Sequence, residues 1–136
     1  MKIPKKTKYK KYHKLNKKVN QVAARKTKLS FGYFGLKAIE GGKVSEKQIE
    51  AVRQSIMKKI RPTGQLWIRI FPDIPVTSKP VGVRMGKGKG SVDKWVSIVS
   101  PGEVLYEISG VSSLKANMAL KLGAKKLPLK TKVISY

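Results

Sequence analysis

Over residues 1–28 apolar side chains are too sparse to fold by burial; from Leu29 onward the alternation of apolar and polar positions becomes readable. In "LSFGYFGLKAIEGG", Leu29, Phe31, Tyr33 and Gly35 alternate with Ser30, Gly32 and Phe34. This predicts a strand whose glycines permit a bulge or a close backbone approach, closed by Gly41-Gly42. The clearest helix is "KVSEKQIEAVRQSIMKKI", where Ile49, Val52, Ile56 and Ile60 recur at helical spacing and form one core-facing stripe. Ser45 and Gln48 have the spacing of a capping box, with Val44 and Ile49 placed for a hydrophobic staple. Lys58, Lys59 and Arg61 suit the negative end of the helix dipole, and Pro62 and Gly64 end the segment.

"QLWIRIF" alternates as a strand, with Leu66, Ile68 and Ile70 on one side and Trp67, Arg69 and Phe71 on the other. The second set has two readings: a nucleic-acid-facing ladder, or the cover of a second small core with Arg69 snorkelling between the rings. The core arrangement is the one expected, with Arg69 kept as a candidate RNA contact. "PDIPVTSKP" carries three prolines and reads as an irregular, stiff connection. "WVSIVS" and "VLYEI" flank Ser100-Pro101-Gly102-Glu103, whose Pro-Gly order suits a type II turn, so the two runs are predicted to pair as an antiparallel hairpin. Val111 and Ser112 open a second helix with Leu114, Met118 and Leu122 on one face, which Gly123 weakens or ends; "LPLKTKVISY" is expected to close the fold as a strand. The pattern as a whole predicts a single α+β domain with antiparallel strands and two helices over residues 29–136, preceded by a basic N-terminal extension over 1–28.

Charge changes the picture. The 136 residues contain 31 Lys and Arg against 7 Asp and Glu, a formal charge of +24. A compact chain so charged repels itself unless a polyanion neutralises it, and nucleic acid is the commonest polyanion. Thirteen of the cations precede Glu40, the first acid. Tyr9, Tyr12 and His13 are interleaved with lysines in this arm, and planar rings that can stack on unpaired bases serve binding rather than solubility. Lys5, Lys6, Lys8, Tyr9, Lys10, Lys11, Tyr12, His13, Lys14, Lys17 and Lys18 are therefore the candidate RNA contacts of the arm. If about six to ten cations displace counterions, affinity should fall roughly a thousandfold to a hundred-thousandfold between about 50 and 200 mM salt.

Other chemistries find little to work with. There is no cysteine, so neither a disulfide framework nor a thiolate metal site is available. His13 is the only histidine, which removes a Ser-His-Asp arrangement from the folded domain and a His cluster for zinc. The carboxylates are scattered, and surface ion pairs are their expected use. The N-terminal segment lacks the apolar stretch of a secretory signal and is read as part of the working protein, and no apolar run is long enough to span a bilayer.

The Gly/Lys loop over residues 82–93, in the stretch "VRMGKGKGSVDKW" (83–95), is the second candidate site. Its glycines at 86, 88 and 90 match neither the P-loop nor the dinucleotide fingerprint. Alternation instead lets the backbone approach a phosphate chain while Lys87 and Lys89 reach neighbouring phosphates, and Arg84 adds a planar fork for phosphate or base.

Several blocks, "PKKTKYKKYHK", "FGLKA", "GQLWIRIFPD", "KPVGVRMGKGKG", "VSPGEVLYE" and "KLPLKT", occur in the order and spacing of the bacterial and organellar L-sixteen family of large-subunit ribosomal proteins, which the chain resembles over nearly its whole length. It departs from that pattern at Ile74, where the family usually has Lys, and at Leu15-Asn16, where it has Gly-Arg. The resemblance implies a non-enzymatic RNA-binding protein with a hammerhead-type α+β fold. It implies as partners large-subunit rRNA near the peptidyl-transferase centre, tRNA in the aminoacyl site and neighbouring large-subunit proteins, with no cofactor, membrane or homo-oligomer. By motif match it assigns Arg84, Met85, Gly86, Lys87, Gly88, Lys89 and Gly90 to the surface facing tRNA and rRNA. The excess of Lys over Arg fits an AT-rich genome, so a ribosome in bacterial cytoplasm or an organelle matrix is expected, with a leaning to the mitochondrion. The alternatives are a DNA-compacting protein, which would bind duplex DNA as well as folded rRNA, and a membrane-active polypeptide, which would carry a basic amphipathic helix.

Overall fold

The computed structural model describes residues 3–13 and 21–136. Among the described residues the elements run β1 (Phe34–Ala38), β2 (Gly42–Ser45), α1 (Glu46–Ile60), β3 (Gln65–Ile68), β4 (Ile74–Ser78), β5 (Ser91–Val99), β6 (Val104–Ser109), α2 (Ser113–Ala124) and β7 (Thr131–Ser135). They form a four-stranded sheet in the order β3-β6-β1-β7 and a three-stranded sheet in the order β2-β5-β4, every pairing antiparallel. The α+β class read from the sequence is the class observed.

Helix α1 starts where its capping box predicts. The Gln48 amide donates to Ser45 Oγ at 3.3 Å, and the Ser45 amide donates to Gln48 Oε1 at 2.9 Å. Ile49, Val52, Ile56 and Ile60 are buried, each contributing roughly 1.5–3 kcal/mol of apolar transfer. They meet Leu36, Tyr106 and Ile108 of the larger sheet and Ala119 and Leu120 of α2 in one core. Tyr106 OH donates to the Ile49 carbonyl at 3.2 Å, and burial pushes its phenol well above the ordinary range.

Four expectations are corrected. The strand predicted from Leu29 begins at Phe34, because residues 30–32 turn their amides onto a buried carboxylate instead of a ladder. "PDIPVTSKP" contains β4, an edge strand, where Pro75 can lack an N–H without breaking an interior ladder. The turn at Ser100–Glu103 forms, with Gly102 at φ +89° and the Glu103 amide donating to the Ser100 carbonyl at 3.2 Å, yet β5 and β6 lie in different sheets. Ala38 takes the turn's outer groups, accepting from the Gly102 amide at 2.8 Å and donating to the Glu103 carbonyl at 2.9 Å, so β6 is led onto β1. On α2 the buried residues are Ala116, Ala119, Leu120 and Gly123, while Leu114 and Met118 are exposed. Gly123 lies inside that helix, and a Cβ there would sit 2.8 Å from Ile56, so close helix contact selects the small-residue face.

Candidate nucleic-acid interface

The glycine-lysine loop leaves the body of the protein between β4 and β5. Gly86, Lys87 and Gly88 take φ of +91°, +54° and +82°, three left-handed residues in succession, and nothing lies within 4 Å of where a Cβ would stand on either glycine. Glycine makes that path accessible, and Lys87 adopts it between two residues that impose no steric demand. Arg84, Met85, Lys87 and Lys89 are all exposed, Met85 by 98%. Two hydrogen bonds reach the loop backbone: Lys79 Nζ donates to the Gly86 carbonyl, and Lys11 Nζ donates to the Lys89 carbonyl at 2.8 Å. Gly90 packs against the Ser78 backbone, where the loop rejoins β5.

The second of these bonds links residues 78 apart and brings the arm to the loop. Residues 3–13 have no regular secondary structure. Lys5, Lys6, Lys8, Tyr9, Lys10, Lys11 and His13 are exposed along them and Tyr12 is half-buried; Lys8 Nζ lies 5.5 Å from the Tyr9 ring centre. Lys14, Lys17 and Lys18, like Leu15-Asn16, fall outside the described residues. The ion pairs among the described residues are Lys26–Glu103, Arg53–Glu50, Arg69–Glu107 and Lys130–Glu40, and none occupies a cation of residues 3–13 or of the loop.

Arg69 stands elsewhere. Its guanidinium is bound to Glu107, a fully buried carboxylate of β6, and lies 5.2 Å from the Phe31 ring. Glu107 Oε2 accepts the amides of Ser30, Phe31 and Gly32 at 3.0, 2.7 and 2.9 Å. Burial opposes the charge on Glu107, but these amides and Arg69 outweigh it and hold the carboxyl below its ordinary range. The result is a strap: residues 23–33 run over the outer side of the larger sheet, also fixed by Ala23 N–H to Pro101 O at 2.9 Å and Val104 N–H to Lys26 O at 2.8 Å. Phe31 stacks on half-buried Trp67 at 6.2 Å between ring centres, whereas Phe71 is exposed. Among the described residues no closed second core forms around Trp67, which is covered on one side by the exposed Phe31 ring, and Arg69 is paired with Glu107 rather than snorkelling between Trp67 and Phe71.

Sequence reasoning missed Glu107. The signal was present: an acid between Tyr106 and Ile108, in a run whose neighbours are all apolar, must be buried with a partner.

Among the described residues no group of three or more His, Asp or Glu side chains could hold a metal ion, and no helix is long and apolar enough to cross a membrane. The family model for ribosomal protein L16p/L10e matches residues 4–134. The chain belongs to the ribosomal L16p/L10e family. Its relatives include the large ribosomal subunit protein uL16 of Hyphomonas neptunium, 53% identical over 131 residues that cover 96% of this chain and 94% of that protein. The uL16 protein of Acidiphilium cryptum is 48% identical over 132 residues, 97% of this chain and 94% of the relative. The L16p/L10e proteins are structural components of ribosomes rather than enzymes, which fits a site made of cations, rings and open backbone. Within this L16p/L10e chain the two candidate segments identified from sequence, arm and loop, are the ones brought together.

Proposed function

We propose that this protein is a structural constituent of the large ribosomal subunit that binds large-subunit rRNA through its arm and glycine-lysine loop, close to the aminoacyl-tRNA site, and helps to position tRNA there. The reading rests on family membership and, in the structure, on one observation above all: Lys11 holds the Lys89 carbonyl, so two cationic segments distant in sequence converge. Converged cations with exposed backbone suit a folded phosphate surface, and they neutralise it without reading base sequence. Arg69 serves this reading indirectly, by locking the strap. The subunit's rRNA and neighbouring proteins are the partners. Both named relatives are bacterial, so the ribosome of a bacterial cytoplasm is the inferred location; they lend the mitochondrial leaning no support.

Sedimentation of the tagged protein at moderate salt tests the assignment: it should travel with large subunits, and absence from those fractions defeats it. For the loop, Lys87→Ala combined with Lys89→Ala should leave subunit assembly intact while aminoacyl-site tRNA occupancy falls. Unchanged occupancy in a tRNA-binding assay on purified ribosomes would make the loop a passive element.

A further inference from the structure

Between the arm and the outer face of the three-stranded sheet lies a cavity of about 370 Å³, within the roughly 300–1,000 Å³ range of small-molecule sites. Three separate parts of the chain build it. The floor is aliphatic, formed by Ile74 and Val96, which are cross-strand partners, together with Val76 and Ile98. The ring side chains of Tyr12 and His13 stand at its arm side. Lys43, the cross-strand partner of Ile98, and Lys89 of the loop also line it, and no carboxylate does.

We propose that this cavity receives one unstacked nucleotide of the bound RNA, its base held between the rings of Tyr12 and His13 and the aliphatic sheet face, its phosphate served by Lys43 and Lys89. The inference rests on the rRNA-binding reading above and gives it a defined subsite. A planar base has two apolar faces and one attached anion; the cavity offers aliphatic and aromatic surface together with cations and no competing acid. Base stacking on such rings tolerates any base, which suits a protein that recognises folded RNA by shape. The Lys11–Lys89 bond adds a structural reason for the location, since it ties together the two segments that supply the ring side and one of the cations.

The test uses the full chain, methyl-labelled at Ile and Val, titrated at low salt with the single-stranded pentaadenylate r(A)5. Methyls of Ile74, Val96 and Ile98 should move upfield as an adenine ring settles over them. Tyr12→Ala should abolish those shifts, and Val76→Phe, which fills the floor while leaving every charge in place, should weaken r(A)5 roughly tenfold. Leu114→Gln, on the exposed face of α2 and away from the cavity, should leave the floor-methyl shifts intact. Binding of r(A)5 with the floor methyls unmoved, or with affinity unchanged in both pocket variants, overturns the inference while RNA binding stands. A protein side chain found in the cavity in assembled subunits overturns it as well. Failure to bind both r(A)5 and large-subunit rRNA would instead overturn the RNA-binding reading itself.

Discussion

Glu107 is where a single residue decides most. Its carboxylate is fully buried and accepts from three consecutive amides and one guanidinium at once, so replacing it by an amide removes the charge that faces Arg69 and one of the two acceptor oxygens. Breaking a buried pair by deleting one partner typically costs about 3–5 kcal/mol. Glu107→Gln should therefore destabilise the fold by roughly 3 kcal/mol at neutral pH and release the strap, seen in denaturant unfolding and in faster hydrogen exchange at Ser30, Phe31 and Gly32. The pH dependence has a fixed sign. Because the folded carboxyl sits below its ordinary 4.5, its contribution is complete above about that pH and is lost as pH falls through the folded value. The difference in stability between the native chain and Glu107→Gln should accordingly shrink on acidification; a difference that is constant with pH would mean that the carboxylate is not the ionised hub of the strap.

At the scale of elements, local signals were legible and partner choice was not. The capping box at Ser45 and Gln48 places the start of α1 without tertiary information, because its donors and acceptors lie within three residues of each other. The turn at 100–103 was legible for the same reason. What each of its strands would pair with depended on Ala38, more than sixty residues upstream, whose backbone claims the turn's outer groups. Helix α2 misled because its large side chains, Leu114 and Met118, mark a face that the fold leaves exposed, by 75% and 55%. The buried face is set by how closely α1 approaches, which depends on Gly123 having no side chain to put against Ile56 and Val52. Gly123→Val should cost about 2 kcal/mol or more, since overpacking of 1–3 kcal/mol is only partly offset by helix propensity better than glycine's. Leu114→Gln, on the face the periodicity favoured, should change stability by under about 0.5 kcal/mol. Thermal unfolding of the two variants side by side measures the contrast, and equal losses would return the buried face to the large residues.

For the whole molecule, internal pairing leaves the charge problem unsolved. The described ion pairs use Glu40, Glu50, Glu103 and Glu107, four of the seven acids, against 31 Lys and Arg, so the counter-charge to the net +24 must come from outside the chain. The composition made this legible, and the interleaved rings of the arm pointed to the class of partner. The convergence of arm and loop at Lys11 and Lys89 was not legible, because a bond across 78 residues leaves no local trace. Among the described residues the buried core begins at Leu36 and the strap bonds begin at Ala23, so the fold should survive removal of the arm. A chain lacking residues 1–20 loses nine lysines yet should melt within a few degrees of the full protein. Its affinity for large-subunit rRNA, plotted logarithmically against salt, should show a shallower slope, by several and by no more than about eight, because each lost phosphate contact removes roughly 0.7–0.9. An equal slope with a lower affinity would mean that the arm contributes stacking without phosphate contact. An equal slope with equal affinity would leave the loop and the domain surface as the only seats of the counter-charge, and the contact between Lys11 and Lys89 would then serve to brace the loop.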